Sequence, residues 1–181
     1  MTKHLLAILF LLSFAFYSCG TGQNTSKKME LTTKIGKIKF DESVTNFKQA
    51  TVMSDALSKK YVYSLHGESD LKNQNPTTGF FIAPLLMNFS DAKHYLDLSI
   101  DGYGENYGII KLENIKKKET KINNLKAYII TFSTVDKTNK KSYVTLAVLS
   151  NEKSSIEFSG NDFEDGIYSE KFMKTIESLE M

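Results

Sequence analysis

One cysteine, no arginine, no tryptophan and two prolines stand among the 181 residues, and the scarcity of the first two already excludes a good deal. A lone Cys19 forms no intramolecular disulfide, so a disulfide-stapled scaffold is excluded. All 23 basic residues are lysines. The planar guanidinium fork that grips phosphate or carboxylate is therefore missing, which argues against nucleic-acid recognition. Charge of neither sign is in excess: 23 basic and 21 acidic residues give a net charge of +2, and charged residues make up 24%, which speaks against an intrinsically disordered chain or an acidic tail. No apolar stretch reaches the roughly 20 residues that cross a bilayer. With 41% hydrophobic residues the chain can bury one ordinary core, and two full-sized domains are not expected.

The apolar run that does occur is an address. Leu5 to Phe16 is nearly unbroken and follows Lys3 and His4, the basic head and apolar body of a secretory signal. It closes on Phe16-Tyr17-Ser18-Cys19-Gly20, which resembles the lipobox of bacterial lipoproteins, with Phe16 and Tyr17 where a leucine and a small residue are usual. Such a loose box resembles those of the Bacteroidetes. The resemblance implies cleavage before Cys19, acylation of its thiol, and a membrane anchor that holds the protein at the outer membrane facing the periplasm, with the cell surface as the other destination. The plainer reading is an ordinary signal peptide with an incidental cysteine. Against it, Gly20 to Lys28 contains no apolar residue and so reads as a flexible tether. The expected organisation is a signal peptide over 1–18, an acylated Cys19 and tether over 19–29, and a single domain over 30–181.

Periodicity then predicts the elements. Ile38 and Phe40 alternate with Lys37 and Lys39 in a first strand over Leu31 to Phe40. Val44 to Leu57 fits a helix, Lys60 to His66 a strand, and His66 to Thr78 a polar loop. Phe80 to Met87 is a solid apolar run, the pattern of a buried strand. Ser90 can cap a helix with the stripe Ala92, Tyr95, Leu96, Ser99 and Tyr103, stopped at Gly102. The rival is a strand through Leu96, Leu98 and Ile100 into an Asp101-Gly102 turn; the helix is preferred. Ile109 to Ile115, Leu125 to Val135, Lys141 to Ser150 and Ser154 to Ser159 are β-branched and aromatic runs separated by turn formers, an antiparallel meander. Tyr168, Phe172, Ile176 and Leu179 make the apolar stripe of a terminal helix that packs on the sheet. The fold class expected is α+β.

The turn before Leu125-Lys126-Ala127-Tyr128, the strand ending Ile156-Glu157-Phe158-Ser159 and the final Phe172, Ile176 and Leu179 helix resemble the PsbP-like α/β sandwich of small secreted proteins, over residues 107 to 181. The resemblance implies a binding or assembly module without a shared active site, so it transfers no catalytic residue.

A search for chemistry finds little. Gly102-x-Gly104-x-x-x-Gly108 is one residue too long for a dinucleotide fingerprint, and the P-loop and nucleophile-elbow patterns are absent. With Cys19 acylated, no cysteine remains as a nucleophile or a zinc ligand. His66, Glu68 and Asp70 at the end of a strand are the most site-like cluster, of the residue types that hold a metal or pair a base with its orienter; an exposed polar loop is the plainer and preferred reading. Asp162, Glu164 and Asp165 ahead of the last helix offer oxygen ligands to a hard cation, although acidic residues there also serve capping and the helix dipole. Lys116, Lys117 and Lys118, with lysines on neighbouring turns, could face anionic lipid or an acidic partner, or simply guard a sheet edge. Tyr103 and Tyr107 beside three glycines are candidates for surface recognition or for the core. His94 reads as a helix-surface residue. No cofactor is implied. The expectation is a membrane-anchored, non-enzymatic module that binds an envelope protein. The alternatives are an immunity lipoprotein that neutralises a toxin, or a hydrolase or metal-dependent enzyme built on the His66 loop.

Overall fold

A computed structural model describes residues 27–43, 48–49, 63–66, 78–106 and 108–181. Among them, β1 (Lys27–Thr33) and β2 (Gly36–Glu42) form an antiparallel hairpin. The remaining strands are β3 (Lys48–Gln49), β4 (Tyr63–His66), β5 (Gly79–Leu85), β6 (Ile109–Ile122), β7 (Leu125–Asp136), β8 (Lys141–Ser150) and β9 (Ser155–Asp162). They build one antiparallel sheet in the order β3-β4-β5-β9-β8-β7-β6. Helix α1 (Phe89–Asn106) links β5 to β6, and α2 (Ser169–Glu177) closes the chain.

Both faces of the sheet are covered, which is why its central strands read as continuous apolar runs rather than alternating ones. On β7, Ala127 and Ile129 point to one face and Tyr128, Ile130 and Phe132 to the other. The first face packs under α2 and the β1–β2 hairpin, with Phe80, Phe158, Phe172 and Ile176 fully buried at its centre. Ala92, Leu96 and Ile100 of α1 cover the second face against Ile130, Leu146 and Val148. Gly160 is required here: a Cβ at that position would lie 2.7 Å from the Phe172 ring, so the absent side chain is what lets α2 sit down on β9.

The C-terminus fastens the hairpin to the rest. Lys39 and Glu180 exchange backbone hydrogen bonds of 3.0 and 2.9 Å. The Asp41 amide donates to Ser178 Oγ at 2.8 Å, and Asn123 Nδ2 donates to the carbonyls of Glu177 and Leu179, both at 3.1 Å.

Several expectations change. The strand over Leu31 to Phe40 is two strands, because Gly36 at φ +112° turns the chain there. Lys27, Lys28 and Met29, expected in the tether over 19–29, are strand instead and pair with Glu42, Asp41 and Phe40; the rest of that segment lies outside the described residues. Lys48–Gln49, placed in a helix over Val44 to Leu57, pairs with His66 and Leu65 as a strand; the other residues of that helix lie outside the described ones. Helix α1 is confirmed over its strand rival. Its cap, however, is Asn88, whose Oδ1 accepts the Asp91 amide at 3.0 Å, rather than Ser90. It also runs through Gly102 to Asn106, since Gly102 lies outside the left-handed conformation that would stop it. Strand β6 continues past Ile115 to Ile122, because Asn123 and Asn124, both at positive φ, close a two-residue hairpin to β7. Strand β9 continues to Asp162.

Candidate functional site

The sequence candidates separate by what the fold does with them. His66 ends β4, paired with Gly79, while Glu68 and Asp70 lie outside the described residues, as do Cys19 and Tyr107. His94 is exposed on α1. Tyr103 is not a free recognition group: its hydroxyl donates to Asn161 Oδ1 at 3.0 Å, and its ring meets Phe132 edge-on with centroids 5.3 Å apart.

Asp162 is fully buried, and its two carboxylate oxygens are already occupied. Oδ1 accepts the Glu164 amide at 2.8 Å and Oδ2 the Tyr168 amide at 2.7 Å. It therefore braces the loop that launches α2, while Glu164 and Asp165 stay exposed. Among the described residues, no group of three or more His, Cys, Asp or Glu is placed to hold a metal ion. The bracing role was legible only as the rule that acidic residues precede helices; that both oxygens turn inward to amides follows from the tight turn at Asp165 and Gly166, φ +56° and +82°.

The three lysines behave differently from one another, because a strand sends successive side chains to opposite faces. Lys117 lies opposite Ile130 and reaches the α1 face. There its Nζ meets Asp97 Oδ1 at 2.7 Å, and the Tyr128 hydroxyl donates to the same oxygen at 2.8 Å. Burial works against the charge on Asp97, but the hydrogen bonds from Lys117 and Tyr128 outweigh it and hold its carboxyl below the usual value. Glu119, two residues on, faces α1 as well and pairs with Lys93. Lys116 and Lys118 lie opposite Thr131 and Ile129 on the α2 face. Both are exposed, and neither has an ion-pair partner among the described residues.

Beside them the α2 face is incompletely filled. A hollow of about 340 Å³ lies between Lys118, Lys121, Ile122 and the α2 residues Met173 and Glu177. A second, of about 440 Å³, lies over Thr131, Tyr143 and Thr145, with Lys116, Glu170 and Met173 on its walls. Met173 lines both hollows. They were not predictable, because they exist only where α2 is too short to cover the whole sheet.

Comparison with known proteins supports the fold. No protein-family model matches the sequence, and no curated protein matches it. The solution structure of the cyanobacterial PsbP protein CyanoP from Synechocystis sp. PCC 6803 is similar with a TM-score of 0.58 at 13% identity, over 91% of this chain and 97% of that one. A protein from Bacteroides thetaiotaomicron VPI-5482 is similar with a TM-score of 0.51 at 12% identity over 86% of this chain; this chain spans about half, 48%, of that one. The chain has a PsbP-like fold, an antiparallel sheet with a C-terminal helix packed on it.

Proposed function

We propose that this protein is a lipid-anchored, non-enzymatic binding module of the bacterial envelope. Acylated Cys19 holds it to the outer membrane facing the periplasm, and the domain binds an envelope protein. The anchor rests on the Leu5 to Phe16 run and the Ser18-Cys19 junction. One observation carries the binding reading: among the described residues the long strand β6 is the edge of the sheet, with two open hollows on its α2 side, an extended contact surface rather than a pocket around reactive groups. The PsbP-like fold agrees with such a role.

The test compares wild type with Cys19→Ala, expressed in a Gram-negative host and crosslinked in native membranes. Wild type is expected in the membrane fraction with an acylated N-terminal cysteine and one envelope protein captured in fixed ratio; Cys19→Ala is expected to be released and to capture much less. Equal membrane retention of both forms overturns the anchor, and capture by neither overturns the module.

A further inference from the structure

The outer edge of β6, unpaired among the described residues, and two lysines without an acidic partner among them specify the partner more closely. From Lys116 to Ile122 the pairing of β6 with β7 is unbroken, whereas irregularities interrupt it at Ile109/Lys111 and Glu113/Lys116. Beyond β6 the sheet has no further strand among the described residues, and no described residue pairs with the outer N–H and C=O groups of this regular stretch, the kind of edge to which another extended chain can add. The charges on its two faces are not equivalent. On the α1 face, Lys117 and Glu119 are bound to Asp97 and Lys93. On the α2 face, Lys116 and Lys118 stand two residues apart with no acidic partner among the described residues. Glu170, on the far wall, is held by Lys174 at 3.3 Å.

We propose that an extended acidic segment of the partner protein adds to the outer edge of β6 as a further strand, with carboxylates at alternate positions facing Lys116 and Lys118 and an apolar side chain in the hollow beside Met173. This deepens, and rests on, the binding-module reading. Side chains at i and i+2 of an added strand share a face with Lys116 and Lys118, and opposite charges directly across a strand pair stabilise it. The same arithmetic disfavours a second copy of this chain, because antiparallel pairing of two β6 edges about Lys117 sets three lysines against three.

The experiment uses the full chain in detergent and a fluorescent, roughly ten-residue peptide that carries Glu at two successive alternate positions and Val at the next alternate position, so that all three share one face, with Thr between them; the same peptide with Lys in place of Glu is its counterpart. Fluorescence anisotropy is expected to show binding of the acidic peptide alone, weakened about tenfold between about 0.05 and 0.5 M salt. Lys116→Glu/Lys118→Glu should weaken it at least about tenfold, while Lys153→Glu in the turn before β9 should not. Hydrogen exchange should slow at residues 116–122 on binding, and thermal melting of the double variant checks that it is folded. No binding, binding unchanged by the double variant, or protection elsewhere overturns the proposal. So does adsorption of the unacylated Cys19→Ala chain to phosphatidylglycerol vesicles that is lost when Lys116→Glu/Lys118→Glu is added, when the peptide does not bind, which assigns the lysines to a lipid surface. If the anchored double variant still captures its envelope protein, this site is wrong and the module reading stands; if wild type captures none, the module reading itself fails.

Discussion

At the scale of single residues, the buried polar groups decide more than the exposed ones. Glu42 is buried beneath the β1–β2 hairpin and accepts the Tyr63 hydroxyl at 2.5 Å. Burial first, and then the hydrogen bond and charge of Glu42, push the Tyr63 phenol far above its ordinary value of 10.0. Tyr128 is pushed up in the same way, by burial and then by Asp97. A folded value above the unfolded one means that these tyrosines contribute stability fully below pH 10 and lose it as the pH climbs beyond. Absorbance titration near 295 nm should therefore show a late step, from Tyr63 and Tyr128, that appears only as the chain unfolds. Tyr63→Phe should remove part of the delayed step and, by leaving a buried carboxylate without its donor, cost about 1–3 kcal/mol in urea unfolding at neutral pH. Ionisation of every tyrosine in one step near pH 10 would contradict this. None of the pairing was legible in the sequence, because Glu42 and Tyr63 are 21 residues apart and meet only when β2 packs over the sheet.

At the scale of elements, most of the prediction rested on periodicity and turn chemistry, and held where those signals were strong. The stripe Phe172, Ile176, Leu179 is fully buried as its spacing implied, and β7, β8 and β9 form the expected meander. Boundaries moved where a local signal lost to pairing or packing: Gly102 stays helical, and the polar Lys116–Thr120 stretch is strand because β7 offers it a ladder. The clearest test at this scale concerns the link from β9 to α2. Asp162→Ala leaves the Glu164 and Tyr168 amides without acceptors, and about 2–4 kcal/mol of stability should be lost. Millimolar Ca²⁺ should leave the melting temperature of wild type unchanged, because both Asp162 oxygens face amides. A calcium-dependent rise that vanishes in Asp162→Ala would restore the cation site.

At the scale of the whole molecule, the last four residues act as a strap. Deleting Ser178 to Met181 removes the Lys39–Glu180 bridge, the Ser178 hydroxyl that receives the Asp41 amide, and the buried Leu179. Hydrogen exchange of the truncated chain should show β1 and β2 losing protection while β7 and β8 keep theirs, since the latter are held by strands on either side. Uniform loss across the sheet would mean that hairpin and sheet unfold as one unit. The sequence by itself determined the α+β class, the meander and the buried stripe of α2, because hydrophobic period and turn residues are local properties written within a few positions. Only the tertiary structure decided that Asp162 braces a loop, that Tyr103 is engaged, and that Lys117 is tied while Lys116 and Lys118 have no ion-pair partner among the described residues. Those outcomes depend on which face of the sheet each helix covers and on where α2 stops, and no local pattern encodes either.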